Sequence, residues 1–188
     1  MYHILYNPGA GGDMIAAVID SKDHLITDVD VQCTPGTLRY QLKQDLITNH
    51  GARNLLYYGF EKTEYFKELE QNYLAITASH NFAEELHYIT DTILIDDSEY
   101  KYAKWCMERC HTILPRFHPP FSDEEVKNRI RAVNTAKKYG KINKVIPFKD
   151  VLEGRLIEKL QQWIDTPLNT EIYNHWLTTI ISTLPKVD

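Results

Sequence analysis

Residues 2–20 read YHILYNPGAGGDMIAAVID: an apolar run Tyr2–Tyr6, a turn built on Asn7, Pro8, Gly9, Ala10, Gly11 and Gly12, then Asp13 and an apolar stretch of helical character. Strand, glycine-rich turn and helix in this order form the architecture with which many α/β proteins cradle a phosphate. Glycines let consecutive backbone N–H groups turn inward, and the following helix presents its positive end to the anion. Gly9, Ala10, Gly11, Gly12 and Asp13 are therefore the candidate ligand-binding loop. Nucleotide enzymes of this architecture add a lysine for the terminal phosphate and a Ser or Thr hydroxyl at the helix start. This loop has neither, and Asp13 stands where the hydroxyl is expected. A carboxylate there caps its own helix, favourable by roughly 0.5–2 kcal/mol, and repels an anion.

With 43% hydrophobic and 25% charged residues, the 188-residue chain fits a single globular domain, residues 1–188, large enough for a three-layer core. A net charge of −5 argues against a broad nucleic-acid surface, which needs clustered Lys and Arg. No apolar run reaches the ~20 residues of a membrane span, so no membrane partner is expected. Cys33, Cys106 and Cys110 cannot all pair with one another, and no secretory signal precedes the first strand, so a reduced, cytoplasmic setting is expected. Cys106, Cys110 and His111 would need a distant fourth ligand to hold a metal, and no second ligand pair has finger-like spacing. Structural burial of the thiols is the simpler reading, with no metal. Twelve tyrosines permit a homo-oligomeric interface.

Beyond the first strand, apolar and β-prone runs recur at Val29–Cys33, Asn54–Tyr58, Tyr73–Thr77, Thr92–Ile95 and Lys144–Phe148. Helices are predicted over Asp13–Ile19, Thr37–Thr48, Thr63–Glu70, Phe82–His87, Ser98–Thr112, Asp123–Tyr139, Val151–Ile164 and Thr170–Ser182. Alternation of this kind predicts an α/β fold, a three-layer P-loop-type domain with a mainly parallel sheet flanked by helices. The runs are almost continuously apolar, the pattern of strands buried on both faces. Ser122 and Glu125 form a capping box for the helix that Tyr139-Gly140 ends. The Pro115–Pro120 segment separates two helices as a connector, a lid or a partner loop.

In the order of its pieces the chain resembles the P-loop sulfotransferase family. Pro8–Asp13 stands where that family has a Pro-Lys-Ser-Gly-Thr-Thr type loop, and Ala75–His80 is similar to its mid-chain strand ending in Thr-His. Leu94–Trp105 occupies the place of its Arg-x-Pro-x-x-x-x-x-Ser segment, and Val145–Glu153 resembles its strand running into a Tyr-Glu-Asp-Leu helix. Leu160–Leu168 looks like the closing helix and its exit. The resemblance implies a transferase that binds the donor 3′-phosphoadenosine-5′-phosphosulfate. This chain departs from the pattern at the charged positions: Gly9 replaces the loop lysine, Asp96 stands where an arginine would hold the 3′-phosphate, and Lys104 lies near the serine position.

His80 follows a strand at the edge where open α/β sheets place ligands, and is the candidate catalytic base. A backbone-bonded loop histidine is the alternative. Asp96, Asp97 and Ser98 end another strand there; with Asp13 they could hold a cation, but Asp97 or Ser98 capping the next helix is the simpler expectation. Tyr102 and Trp105 are expected to pack a core rather than stack a base. Lys104 and Arg116 complete the candidate ligand-binding set, with His118, Arg129 and Arg131 as further positive charge for a small anionic ligand. Lys137, Lys138, Lys141 and Lys144 read as a solvated helix end. Two functions fit: a divergent sulfotransferase-like protein that binds a nucleotide or other anion, or a non-catalytic interaction or assembly scaffold that retains the fold.

Overall fold

The computed structural model describes residues 2–19, 24–27, 39–42, 75–77, 91–113, 115, 119–139 and 142–183. Strand β1 (Tyr2–Leu5) lies in a parallel sheet of order β4-β1-β5-β6, with β4 at Ala75–Thr77, β5 at Asp91–Asp96 and β6 at Lys144–Pro147. The register sets Ile4 opposite Thr77 on one side and Ile93 on the other, and Leu94 opposite Val145. The α/β character and the parallel sheet are thus present.

Side-chain alternation divides the core. Ile4, Ile93, Ile95 and Ile146 belong to one cluster with Met14, Ile15, Val18 and Ile19 of helix α1 (Gly12–Ile19) and Ile172, Trp176 and Ile180 of helix α6 (Thr170–Thr183). Leu5, Leu94 and Val145 point the other way, against Val133 and Ala136 of helix α3 (Asp123–Tyr139). A strand apolar at every position can stay in register only if both faces are covered, and β5 has all four inner residues buried.

Helix α2 (Tyr100–Ile113) follows β5 and packs beside α3. Its Tyr102 and Trp105 rings meet Phe148 edge-on and tilted, with centroids 6.1 and 5.6 Å apart, so both are core residues as the sequence indicated. The capping box also forms: the Ser122 N–H donates to Glu125 Oε2 at 2.6 Å, and the Glu125 N–H donates to Ser122 Oγ at 3.3 Å.

Three local expectations are corrected. Arg39–Leu42, inside the expected helix Thr37–Thr48, is strand β3, paired antiparallel with β2 (His24–Thr27) in a separate two-stranded sheet. Strand pairing here overrides local helix propensity. The expected helix Val151–Ile164 is instead two short helices, α4 (Phe148–Leu152) and α5 (Leu156–Leu160), and Phe148 opens the first of them rather than closing β6. Gly154, at φ +85°, separates them, and Arg155 Nε donates back to Asp150 Oδ1 at 3.0 Å to hold the break. The expected strands Val29–Cys33 and Asn54–Tyr58 and helices Thr63–Glu70 and Phe82–His87 lie outside the described residues, as does His80. Among the described residues, no helix is long and apolar enough to cross a membrane.

Candidate functional site

Strand order reverses at β1, which has β4 on one side and β5 on the other. In open parallel sheets the crevice outside the carboxyl ends at such a reversal is where ligands bind. The residues that leave β1 and β5 there are Asn7 and Asp97, and they meet. Asn7 Nδ2 donates to Asp97 Oδ1 at 2.8 Å. Arg129 of α3 reaches the other oxygen, its Nε donating to Asp97 Oδ2 at 2.6 Å while Nη2 is ion-paired with the same atom. Asp97 is fully buried, and the Arg129 side chain is 8% exposed. Burying a carboxylate and a guanidinium is costly unless they are paired and hydrogen-bonded, so the three residues form one unit.

Beside this unit opens a cleft of about 260 Å³. Asn7 and Pro8 border it from the end of β1, Met107 and Cys110 from α2, and Pro119, Phe121, Glu125 and Arg129 from α3 and its lead-in. The Cys110 thiol is raised above its ordinary pKa, first by burial, so it stays neutral at physiological pH. Cys106 is wholly buried and shifted in the same direction by the same cause. Neither thiol is in a disulfide. Among the described residues no group of three or more His, Cys, Asp and Glu is placed to hold a metal ion.

The glycine loop borders the same edge, and its glycines are packed by protein. The Ala10 N–H donates to the Asn7 carbonyl at 3.1 Å, closing the turn, and Ala10 is buried. At Gly11, φ +78°, a Cβ would stand 2.7 Å from the Trp176 ring. At Gly9 it would stand 2.5 Å from the Cys106 carbonyl oxygen, and at Gly12 it would overlap the Tyr6 ring. Arg109 of α2 donates from Nη1 to the Gly9 carbonyl at 2.9 Å. Close approach of α2 at Gly9, of α6 at Gly11 and of the Tyr6 ring at Gly12 thus accounts for glycine at these positions before any ligand is considered. The backbone of Asp13 lies in the first turn of α1.

The other sequence candidates separate in space. Lys104 is exposed on α2, 3.8 Å from Glu108 one turn on, and is not among the residues that line the cleft. Arg131 is exposed and pairs with Glu124 at 2.9 Å. Arg116 and His118 lie outside the described residues. Asp97 does not cap α2, because its carboxylate is committed to Asn7 and Arg129. Asp96 Oδ1 accepts from the Ser98 N–H at 3.0 Å, and its other oxygen accepts from Lys137 Nζ at 2.8 Å. Burial raises the Asp96 carboxyl, but the hydrogen bonds from Lys137 and Ser98 outweigh it and hold the group below its usual value. The basic run is therefore not simply solvated: Lys137 is bound to Asp96, and Lys144 donates to Asp91 at 2.5 Å.

Sequence reasoning singled out Arg129 as a charge but missed its tie to Asn7 and Asp97. Asn7 lies two residues past Leu5 at the end of β1, Asp97 lies one past Asp96 at the end of β5, and the pairing of Leu5 with Leu94 brings these two exits close together. No family model, curated protein or solved structure matches this chain.

Proposed function

We propose that the chain is a divergent, sulfotransferase-like domain of three-layer P-loop type, cytoplasmic, which binds a small anionic ligand at the carboxyl edge of β1 and β5. One observation supports this reading above the others: the glycine turn leaves the sheet at its strand-order reversal and runs directly into α1, beside a cleft bordered by Arg129. Backbone N–H groups at a helix start and a neighbouring arginine are complementary to a phosphate or sulfate oxygen. In this reading 3′-phosphoadenosine-5′-phosphosulfate is the first nucleotide to examine, and His80 is the candidate base.

A second reading, an interaction or assembly scaffold without catalysis, is favoured by the protein atoms of Cys106, Trp176 and Tyr6 that crowd the three glycines. Thermal denaturation with and without 3′-phosphoadenosine-5′-phosphate, ATP, GTP and divalent cations separates the two. A ligand at 100 times its Kd adds about 2.7 kcal/mol to stability. A clear upward shift in Tm with the phosphoadenosine upholds the first reading. The absence of any shift at millimolar nucleotide supports the scaffold.

A further inference from the structure

Arg129 is buried, yet its donors outnumber its acceptors. A guanidinium carries five N–H donors in a planar fork. Among the described residues its acceptor is Asp97 Oδ2, taken by Nε in a hydrogen bond and by Nη2 in an ion pair, and Nη2 has no hydrogen-bond partner of its own. Nη2 is enclosed against Asp97, and the remaining N–H donors of the fork outnumber that single acceptor, so an oxygen brought to the cleft side of Arg129 gains a charge-assisted hydrogen bond. Asp97 and Asn7 meanwhile hold the fork in place, so little ordering is lost when a ligand arrives.

We propose that the cleft binds a small organic anion, with an oxygen of its carboxylate or phosphate-monoester head accepting from Arg129 and its apolar body lying against Met107, Pro119 and Phe121. This rests on the reading that the carboxyl edge takes an anion, and it names the side chain that holds the charge and the size of what is held. At about 260 Å³ the cleft is smaller than the ~300–1,000 Å³ typical of sites for drug-sized ligands, a size that suits a single ring or short chain. Glu125 also borders the cleft and keeps its negative charge, because the hydrogen bonds that its Oε2 accepts from the Ser122 N–H at 2.6 Å and the Ser122 hydroxyl at 2.9 Å hold the carboxyl below its usual pKa; the anionic head is therefore placed at Arg129 and away from Glu125. The neutral Cys110 thiol adds no opposing charge.

Isothermal titration of the intact chain with phenyl phosphate, benzoate, inorganic phosphate and benzyl alcohol tests the proposal. Phenyl phosphate or benzoate is expected to bind at least about ten-fold more tightly than either the alcohol or inorganic phosphate. Met107→Trp, which fills the cleft from α2 and leaves Arg129 and Asp97 in place, should weaken that binding by about ten-fold or more, while Arg131→Gln leaves it unchanged. Phe121→Trp makes the same test from the segment that leads into α3 should Met107→Trp melt early. The proposal is overturned if neither probe binds at about 1 mM, or if both filled-cleft variants bind as the parent does. A Tm shift with 3′-phosphoadenosine-5′-phosphate but no binding of the small probes would leave the glycine-loop reading standing and remove this one. Binding of phenyl phosphate or benzoate that both filled-cleft variants weaken, without any nucleotide shift, would do the reverse.

Discussion

Gly11 and Gly154 share a left-handed backbone but differ in what surrounds them, which makes them a matched pair for separating strain from collision. A Cβ at Gly154 meets nothing within 4 Å, whereas at Gly11 it meets Trp176 at 2.7 Å. Gly154→Ala should therefore cost only the conformational term, about 1–2 kcal/mol. Gly11→Ala should cost that and a further roughly 1–3 kcal/mol for displacing the indole, read by urea denaturation of the two variants side by side. The buried pair at the sheet edge follows a different rule. Arg129→Met strands the Asp97 carboxylate and should destabilise by about 3–5 kcal/mol, and adding Asp97→Asn in the same chain should restore much of the loss. Both effects are measurable as shifts in the denaturant midpoint at unchanged slope. A double variant no more stable than the single one would mean that the pair contributes through packing, not charge.

Asp96 and Lys137 fasten the end of β5 to the last turns of α3, so the attachment of that helix depends on pH. Because the folded Asp96 carboxyl lies below its usual value, its contribution is fully present above the unfolded pKa of about 3.9 and is lost as pH falls through the lower folded value. Asp96→Asn should accordingly lower stability at pH 7 by less than about 1 kcal/mol for this partly exposed pair, read as a lower Tm, and the gap from the parent should close as pH falls through the lowered folded value. A gap that stayed constant across that range would assign the effect to the Ser98 turn instead. Elements with strong local signatures were legible in the sequence: β1 and β5 from unbroken apolar runs, α3 from the reciprocal hydrogen bonds of Ser122 and Glu125. Strand β3 was not, since Arg39–Leu42 lies among good helix formers and becomes a strand only through its pairing with His24–Thr27. The break at Gly154 was obscured by apolar positions on both sides that keep helical spacing. At the candidate site Arg129 could be named as a charge, but Asn7 and Asp97 are 90 residues apart and carry no local pattern that joins them.

Across the molecule, the early chain is held by late residues. The Tyr2 hydroxyl donates to the Trp163 carbonyl at 2.8 Å, the Asn169 N–H donates to the Val18 carbonyl at 2.9 Å, and Trp176 fills the space against Gly11. Helix α6 is itself tied to α4, the Tyr173 hydroxyl donating to the Val151 carbonyl at 2.5 Å. Ending the chain before Thr170 should therefore loosen β1 and α1 although it removes none of their residues. Amide hydrogen exchange should show protection lost over Ile4–Ile19 in the shortened chain and kept in a full-length Trp176→Phe variant. Equal loss in both would assign the hold to the indole alone.

The 161-residue separation between Tyr2 and Trp163 also bears on how the protein is made. A ribosome releases β1 before its neighbours at residues 75–77 and 91–96 and before the closing helix at 170–183. Until those neighbours emerge its apolar edges have no partner, so the nascent chain is the state in which chaperone binding or aggregation would act on it.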